Sequence, residues 1–174
     1  MATETKIVTN VALLTRHNSL ITEDEVKNGE AAKIIADLKV TAKNVEAARD
    51  RKRKIRGISA PQIDVTKAIC MVRKLTGGWL VLINPVIVNK AATITTNYET
   101  CLSFPGKPFE VTRYTQISVR YLDTNGKLRM RDFKGKMARR IQHEIDHLNG
   151  VVPSKRQFEK GAAFWIARTG GLPK

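Results

Sequence analysis

The sequence predicts an α+β protein from the order of its elements. A long helix with a broad apolar side comes first, several short strands follow, and a second strongly patterned helix lies near the end of the chain. Strands that are grouped between helices, rather than alternating with them one by one, are typical of α+β folds and not of repeated βαβ units. With 174 residues, the chain is long enough to bury a substantial core.

Apolar spacing and turn residues place the individual elements. The first helix is predicted from about Glu30 to Arg51, where apolar residues recur at helical spacing. Strands are expected near residues 68–73, 79–88 and 91–98, with Gly77-Gly78 at the first turn. A hairpin is expected at Asn125-Gly126, because alternating residues such as Ile117, Val119 and Tyr121 precede this strong turn signal and Met130 and Phe133 follow it.

The second helix carries the most informative segment of the chain. Its apolar stripe is Met137, Ile141, Ile145 and Leu148, and Gly150 and Pro153 provide a stop, which predicts a helix from about Lys136 to Asn149. A further short helix is expected from about Gln157 to Arg168.

Within the second helix, residues 143–147 read His-Glu-Ile-Asp-His. Side chains four residues apart project from one face of a helix, so His143 and His147 can bind the same cation. Glu144 lies beside that cation without being a ligand. A bound metal lowers the pKa of water from about 15.7 toward roughly 7, and a neighbouring carboxylate can then move the proton. This spacing indicates metal-assisted hydrolysis.

The third ligand decides which kind of hydrolase this is. Zinc endopeptidases of the metzincin kind have a glycine three residues after the second histidine and a further histidine three residues later. Gly150 fits this pattern, but residue 153 is proline, and Glu159 is the only downstream acid. Upstream, Cys101 lies in a polar segment bounded by turn residues, and we expect it to be an exposed ligand. A zinc endopeptidase therefore remains an alternative.

The cysteine content indicates a reducing compartment. Cys70 lies in an apolar run and is expected to be buried, so Cys70 and Cys101 provide no disulfide framework. The N-terminal residues do not read as a secretory signal, and no apolar run approaches the roughly 20 residues that a membrane span requires. We therefore expect a cytoplasmic protein. An organelle, or the cytoplasm of a host cell if the source is a virus, remains an alternative location.

Three segments together resemble the motifs of the peptide deformylase family. They are Gly57-Ile58-Ser59-Ala60-Pro61-Gln62, Glu99-Thr100-Cys101-Leu102-Ser103 and Gln142-His143-Glu144-Ile145-Asp146-His147. The resemblance implies an α+β fold with antiparallel sheets packed around the metal-binding helix. It also implies a metal-binding hydrolase of protein biosynthesis, which acts co-translationally to remove the formyl group from N-formylmethionine at the N-terminus of nascent polypeptides and releases formate. We expect one catalytic domain over residues 1–174, with its motif-bearing core at about 55–150.

The resemblance assigns roles position by position. Cys101, His143 and His147 become the metal ligands, which leaves a fourth place open, as in catalytic sites. Glu144 becomes the general base and then the general acid. Gln62, through its side-chain amide, and Leu102, through its backbone N–H, become the donors to the oxyanion. The donor set accepts Zn²⁺, Ni²⁺, Co²⁺ or Fe²⁺, and the resemblance implies Fe²⁺ for activity.

The resemblance also implies supporting contacts, and the chain departs from the family pattern at several positions. Arg113 is expected to pair with Asp146, and Gly57 is expected to let the substrate backbone approach closely. Ile55 and Arg56 stand at the opening of the first motif, where the family usually begins with glycine. Ser59 replaces a usual alanine and Thr100 a usual glycine. Arg139 and Arg140 occupy positions where the family tends to have at least one apolar residue that lines the methionine pocket.

The chain is strongly basic, with a formal net charge of +15. The segment from Arg49 to Arg56 and the basic ends of the later helices could form a positive surface that attracts nucleic acid. For a deformylase, the matching polyanion is ribosomal RNA, which predicts a transient association with ribosomes. A non-catalytic basic RNA-binding module is the alternative from another functional class, and it predicts that replacing Glu144 with alanine changes no activity.

Overall fold

The computed structural model describes residues 5–49 and 54–152. Helices α1 and α2 are short, and α3 and α4 are the two long helices predicted from sequence. The elements are α1 (Val11–Leu14), α2 (Glu23–Lys27), α3 (Glu30–Ala48), β1 (Gly57–Ser59), β2 (Ile69–Arg73), β3 (Trp79–Lys90), β4 (Ile94–Cys101), β5 (Phe104–Tyr114), β6 (Gln116–Leu122), β7 (Leu128–Lys134) and α4 (Gly135–Leu148), with one turn of 3₁₀ helix at Ala60–Ile63.

The strands form two antiparallel sheets, which confirms the predicted α+β class. The larger sheet has the order β1-β2-β3-β6-β7, and β4 pairs with β5 in a separate two-stranded hairpin. Gly77-Gly78 and Asn125-Gly126 lie at the predicted turns of the larger sheet, between β2 and β3 and between β6 and β7. Residues 91–93 were predicted to begin a strand, but they form the connection between β3 and β4.

Helix α4 matches its predicted bounds to within one residue, whereas α3 ends three residues before the predicted Arg51. The residue Arg49 after α3 adopts an extended backbone with φ −96° and ψ 166°, which terminates the helix before the basic run. Residues 50–53 and the helix expected at 157–168 lie outside the described residues.

The larger sheet buries apolar side chains on both faces. One face packs against α3 through Ile34, Ile35 and Leu38, and the other packs against α4 through Ala138, Ile141 and Ile145. Because side chains alternate across a strand, β2 and β3 contribute buried residues to both clusters. The face toward α3 has Ile58, Ile69, Met71, Val81 and Ile83, and the face toward α4 has Val72, Leu82, Ile117, Val119 and Tyr121.

The other side of α4 is polar and faces the β4–β5 hairpin. The Gln142 amide donates to the Tyr114 carbonyl at 2.9 Å and accepts from the Tyr114 N–H at 3.1 Å. The hairpin has only a small apolar cluster of its own, Cys101, Phe109 and Val111 with Phe104 against it. Helix α4 therefore joins an apolar sheet on one side to a hairpin held largely by polar contacts on the other.

The N-terminal segment closes over the end of α4. The Asn18 side-chain amide donates to the Leu148 carbonyl at 2.9 Å, and so satisfies one of the last carbonyls of the helix. Gly150, with φ +66°, lies against the Thr15 backbone. Among the described residues, no helix is both long and apolar enough to cross a membrane.

Candidate metal centre

The structure brings Cys101, His143 and His147 together at the seam between α4 and the hairpin. One ligand atom from each lies within 4.8 Å of the others, and the two imidazole centroids are 5.2 Å apart. The Cys101 Sγ lies 3.1 Å from His147 Nε2. A thiolate with two imidazoles suits the divalent transition metals, so these donors fit the ion that the sequence predicts.

Cys101 is the last residue of β4, and not an exposed loop residue as expected. Its side chain is only 6% exposed, so the prediction of exposure is wrong. The hairpin turns immediately after it, and this turn folds the thiol back under the imidazoles. Burial by itself raises the pKa of the thiol, but His147 and His143 outweigh burial and lower it from 9.0 to about 5. The Cys101 sulfur is therefore poised as a thiolate near neutral pH.

Glu99 supports the site, a role that the sequence reasoning missed. Its Oε2 accepts from His143 Nδ1 at 2.8 Å, which leaves His143 Nε2 for a metal. The same carboxylate receives Arg113 Nε at 3.0 Å and Arg113 Nη2 at 2.9 Å. Burial opposes its ionisation, but Arg113 and His143 hold the pKa of Glu99 far below its usual range. A carboxylate two residues before the candidate cysteine ligand was the available sequence signal.

Arg113 also contacts Asp146, the pairing that the resemblance implies. Both side chains are about 4% exposed, so each charge depends on the other for compensation. Although burial lowers the pKa of Arg113, Asp146 and Glu99 more than reverse that effect, and the guanidinium stays charged. Arg113 thus joins β5 to α4 through one carboxylate and to β4 through the other.

Glu144 is buried beside the three candidate ligands, on the side of α4 that faces β1. Burial raises the pKa of its carboxyl from 4.5 to about 7. A Cβ atom added to Gly57 would lie 2.2 Å from Glu144 Oε1. This close approach explains why residue 57 is glycine, because a larger residue would displace the Glu144 carboxylate. The sequence did not indicate this contact. Glu144 Oε2 and His147 Nδ1 are buried without a hydrogen-bond partner among the described residues.

Gln62 points its amide nitrogen into the same site. Its Oε1 accepts from the Ser59 N–H at 3.0 Å and lies 3.1 Å from the Ser59 hydroxyl. Because a backbone N–H can only donate, the side-chain oxygen must face Ser59 and the NH₂ must face the opposite way. That NH₂ lies 3.2 Å from Ser103 Oγ and 3.6 Å from Cys101 Sγ. Leu102, the other expected donor, follows Cys101 directly in the turn between β4 and β5.

The sequence reasoning did not assign roles to the two serines that orient Gln62. Ser59 and Ser103 are both buried, and each contacts the Gln62 side chain. Ser59 was noted only as a departure from alanine, although a hydroxyl at a buried motif position requires a polar partner. That requirement was the available signal for Ser59.

These features define a class: a small α+β protein whose α4 and β4–β5 hairpin together form a candidate catalytic metal site of one cysteine and two histidines. The comparison with known families is more specific, because the family model described as polypeptide deformylase matches residues 6–160. This chain belongs to the polypeptide deformylase family.

Individual relatives agree with this assignment. The chain is 40% identical over 123 residues to a peptide deformylase of Parasynechococcus marenigrum (strain WH8102), covering 66% of this chain and 61% of that protein. It is 46% identical over 96 residues to a peptide deformylase of Pelotomaculum thermopropionicum, covering 55% of this chain and 61% of that protein. The chain thus spans less than two thirds of the length of these relatives.

Solved structures show the same fold. The crystal structure of peptide deformylase from Ehrlichia chaffeensis has a TM-score of 0.74 and 29% identity, covering 97% of this chain and 96% of that chain. An actinonin-bound class I type b peptide deformylase from Acinetobacter baumannii has a TM-score of 0.76 and 24% identity, covering 92% of this chain and 99% of that chain. At that identity the second likeness concerns the fold alone.

Proposed function

We propose that this protein removes the formyl group from N-formylmethionine at the N-terminus of new polypeptides and releases formate. The observation that carries the proposal is the convergence of the Cys101, His143 and His147 ligand atoms within 4.8 Å, beside the buried carboxylate of Glu144. Cys101, His143 and His147 would hold one divalent ion, Fe²⁺ in the active protein, with Zn²⁺, Ni²⁺ or Co²⁺ as alternatives. When bound, such an ion lowers the pKa of water and polarises a carbonyl oxygen.

Glu144 is proposed to move the proton. It takes a proton from the attacking water and gives it to the departing amine, and such acid-base help contributes about 10²–10⁴-fold. Burial raises the pKa of the Glu144 carboxyl group above its usual range, which favours uptake of the proton from the water. Burial next to Gly57 keeps the carboxylate away from bulk water.

Gln62 and Leu102 are proposed to receive the oxyanion. The Ser59 N–H fixes the orientation of the Gln62 amide, so its NH₂ is available in the site before substrate binds. Losing one donor of this kind typically costs about 10²–10³-fold in rate.

The substrate backbone is proposed to run alongside β1. In the larger sheet, β1 pairs only with β2 and is therefore an edge strand. An extended peptide can add to such an edge through main-chain hydrogen bonds. Gly57, half-buried at the start of β1, is the residue at which close approach would matter.

The direct test is release of formate from a formyl-methionyl peptide by protein purified without oxygen, together with metal analysis. Deformylation is expected with iron bound, and it should fall in air as oxygen oxidises the ferrous ion. Replacing the lost iron with Ni²⁺ or Co²⁺ should restore formate release in protein whose thiolate is still reduced. Glu144→Ala should lose formate release and keep its metal. Absence of formate release from fully metal-loaded protein would overturn the proposal, and cleavage of internal peptide bonds would favour a zinc endopeptidase. The rival acid Glu159 lies outside the described residues.

We also propose cytoplasmic action, with transient association of a basic surface with ribosomal RNA. The structure has a groove of about 740 Å³ near the β6–β7 turn, whose lining includes Lys39, Lys74, Arg129 and Arg131. Arg129 pairs with Asp123 at 2.7 Å, whereas Lys39, Lys74 and Arg131 have no carboxylate partner within the part of the chain that the structure describes. Positive groups without local partners attract phosphate.

Co-sedimentation with ribosomes over a range of salt concentrations tests this association. The variant Lys39→Glu/Lys74→Glu should bind ribosomes more weakly. The slope of the logarithm of the binding constant against the logarithm of the salt concentration should fall in magnitude by about one for each phosphate that the protein no longer neutralises. Lys134→Glu/Lys136→Glu is the matched control, because it makes the same change of charge at exposed residues that do not line the groove. Equal weakening in both variants, or association that does not weaken with salt, would contradict a specific basic groove.

A further inference from the structure

Arg139 lies on α4 one turn before His143, at one of the two positions where the family resemblance leads us to expect an apolar residue. Its Nη1 donates to Glu99 Oε1 at 2.8 Å and to the Val111 carbonyl at 3.0 Å. Its Nη2 donates to the Thr95 carbonyl at 2.6 Å and contacts Thr95 Oγ1 at 3.2 Å. One guanidinium on the helix therefore contacts both strands of the hairpin.

These contacts meet at the carboxylate that orients His143. Glu99 Oε1 is shared by Arg139 and Arg113 Nε, and Oε2 is shared by Arg113 Nη2 and His143 Nδ1. With donors on both oxygens, rotation of the carboxylate would break at least one charge-assisted hydrogen bond. Arg139 thus restrains the group that in turn restrains the imidazole.

The hairpin needs such a restraint because its apolar contacts with the two clusters of the larger sheet lie at its ends, at Leu102 in the turn and at Tyr114, the last residue of β5. Its buried cluster of Cys101, Phe109 and Val111 is separate from the two clusters on the faces of the larger sheet. Cys101 comes from this hairpin, whereas both histidines come from α4. The distance from the sulfur to the imidazoles consequently depends on how firmly the hairpin is held to the helix.

We propose that Arg139 is a positioning residue that clamps the β4–β5 hairpin to α4 and so fixes the Cys101 sulfur relative to His143 and His147. The clamp acts through Glu99 and the backbone carbonyls of Thr95 and Val111, and Arg139 itself is not a ligand. The inference rests on the metal site proposed above. One of its tests is made on metal-free protein, so its failure can be distinguished from failure of that site.

The neighbouring Arg140 provides a matched control. It donates to the Arg73 carbonyl at 2.6 Å and, among the described residues, has no hydrogen bond to the hairpin. Arg139→Met and Arg140→Met therefore make the same chemical change at adjacent positions of one helix, and only the first removes the clamp.

The first measurement is the rate at which iodoacetamide modifies Cys101 in metal-free protein, with the fully buried Cys70 as an internal reference. Arg139→Met should raise the Cys101 rate several-fold and leave the Cys70 rate unchanged, while Arg140→Met should match the parent protein. The second measurement is Zn²⁺ affinity by competition with a chelator. Removal of a group bonded directly to a ligand typically weakens metal binding by about 10–100-fold. Arg139 acts through one such group, Glu99, so weakening of up to that size is expected for Arg139→Met only.

Two milder variants keep the proposal testable if Arg139→Met does not fold. Arg139→Lys retains the charge but cannot reach all the acceptors, and Thr95→Val removes only the hydroxyl contact. The lysine variant should show intermediate alkylation and affinity, and the valine variant a smaller effect. The proposal would be overturned if the alkylation rate and Zn²⁺ affinity of Arg139→Met were within twofold of those of Arg140→Met. If Arg139→Met does not fold, the same comparison is made with Arg139→Lys.

Discussion

Burial has opposite outcomes at Cys101 and Glu144, although it disfavours the charged form of both. Beside Cys101, two imidazoles stabilise the thiolate by more than burial destabilises it, so its pKa falls to about 5. At Glu144 the same imidazoles only partly offset burial, and its pKa rises to about 7. One site therefore contains both an ionised sulfur and a carboxyl group able to exchange a proton near neutral pH.

Replacing Glu144 with glutamine should separate proton transfer from metal binding. Glutamine keeps the size of the side chain but cannot accept the proton, so formate release should fall by about 10²–10⁴-fold while metal content stays unchanged. Steady-state assays with metal analysis measure both quantities. Glu110→Gln, at an exposed position of β5, is the matched control and should retain full activity. Retained activity in Glu144→Gln would show that Glu144 does not transfer the proton.

The depressed pKa of Cys101 predicts how the stability of metal-free protein depends on pH. Its folded pKa of about 5 lies below the ordinary value of 9.0, so the thiolate stabilises the fold fully above pH 9. That contribution is lost as the pH falls toward 5. The difference in unfolding free energy between the parent and Cys101→Ser should therefore grow between pH 5 and pH 8, as measured by denaturant titration.

Cys70→Ala supplies the control for that experiment. Burial raises the pKa of Cys70 well above 9.0, so this thiol stays neutral over the same pH range. Its substitution should change stability by an amount that does not vary with pH. If Cys101→Ser shows the same lack of pH dependence, the Cys101 thiol does not ionise in the folded protein.

At the scale of elements, α4 determines the site because it has two different sides. Apolar residues at helical spacing bind it to the larger sheet, and this periodicity could be recognised in the sequence. Its polar side contacts the β4–β5 hairpin and consists of Arg139, Gln142, His143 and Asp146. The partners of that second side are about 30 to 45 residues away in the chain, so helical periodicity could not identify them.

Gly150 should be required for the end of α4. An alanine there would hold φ +66° and place its Cβ 2.9 Å from the Thr15 carbonyl oxygen. Strain of this kind costs about 1–3 kcal/mol, and the close approach adds to it, so Gly150→Ala should lower the unfolding free energy measured by denaturant titration. Gly106→Ala has a similar φ of +71° but open space around its Cβ, and it should be destabilised less. Equal destabilisation would mean that packing against Thr15 does not matter.

At the scale of the whole molecule, the net charge of +15 opposes compaction. Self-repulsion between exposed charges is screened over about 10 Å at 0.1 M salt, whereas buried pairs such as Arg113 and Asp146 are screened much less. The midpoint of thermal unfolding should therefore rise as NaCl is increased from low to moderate concentration. Circular dichroism measures this midpoint.

The Lys134→Glu/Lys136→Glu variant is a useful comparison, since it lowers the positive charge without touching the candidate site. Its unfolding midpoint should depend less on salt than that of the parent. A midpoint that falls with added salt in the parent would show that surface ion pairs outweigh the overall repulsion.

Local patterns in the chain were sufficient to predict the α+β class, the positions of both long helices, two hairpin turns and the pair His143 and His147, while the resemblance to the deformylase motifs added Cys101. These features depend on local spacing or on short motifs, which a linear chain displays directly. The strand boundary after β3 and the end of α3 were misplaced because β-strand limits and helix ends depend on neighbouring contacts as well as on local propensity.

The surroundings of those residues depended on how the chain folds. In the folded protein Cys101 is buried and Glu99 accepts a hydrogen bond from His143. The Ser59 N–H orients the Gln62 amide. Gly57 leaves room for the Glu144 carboxylate. Folding also gave Arg139 acceptors on both strands of the hairpin. Burial, pKa values and hydrogen-bond partners arise when distant segments share one desolvated volume, and distance along the chain does not specify that proximity.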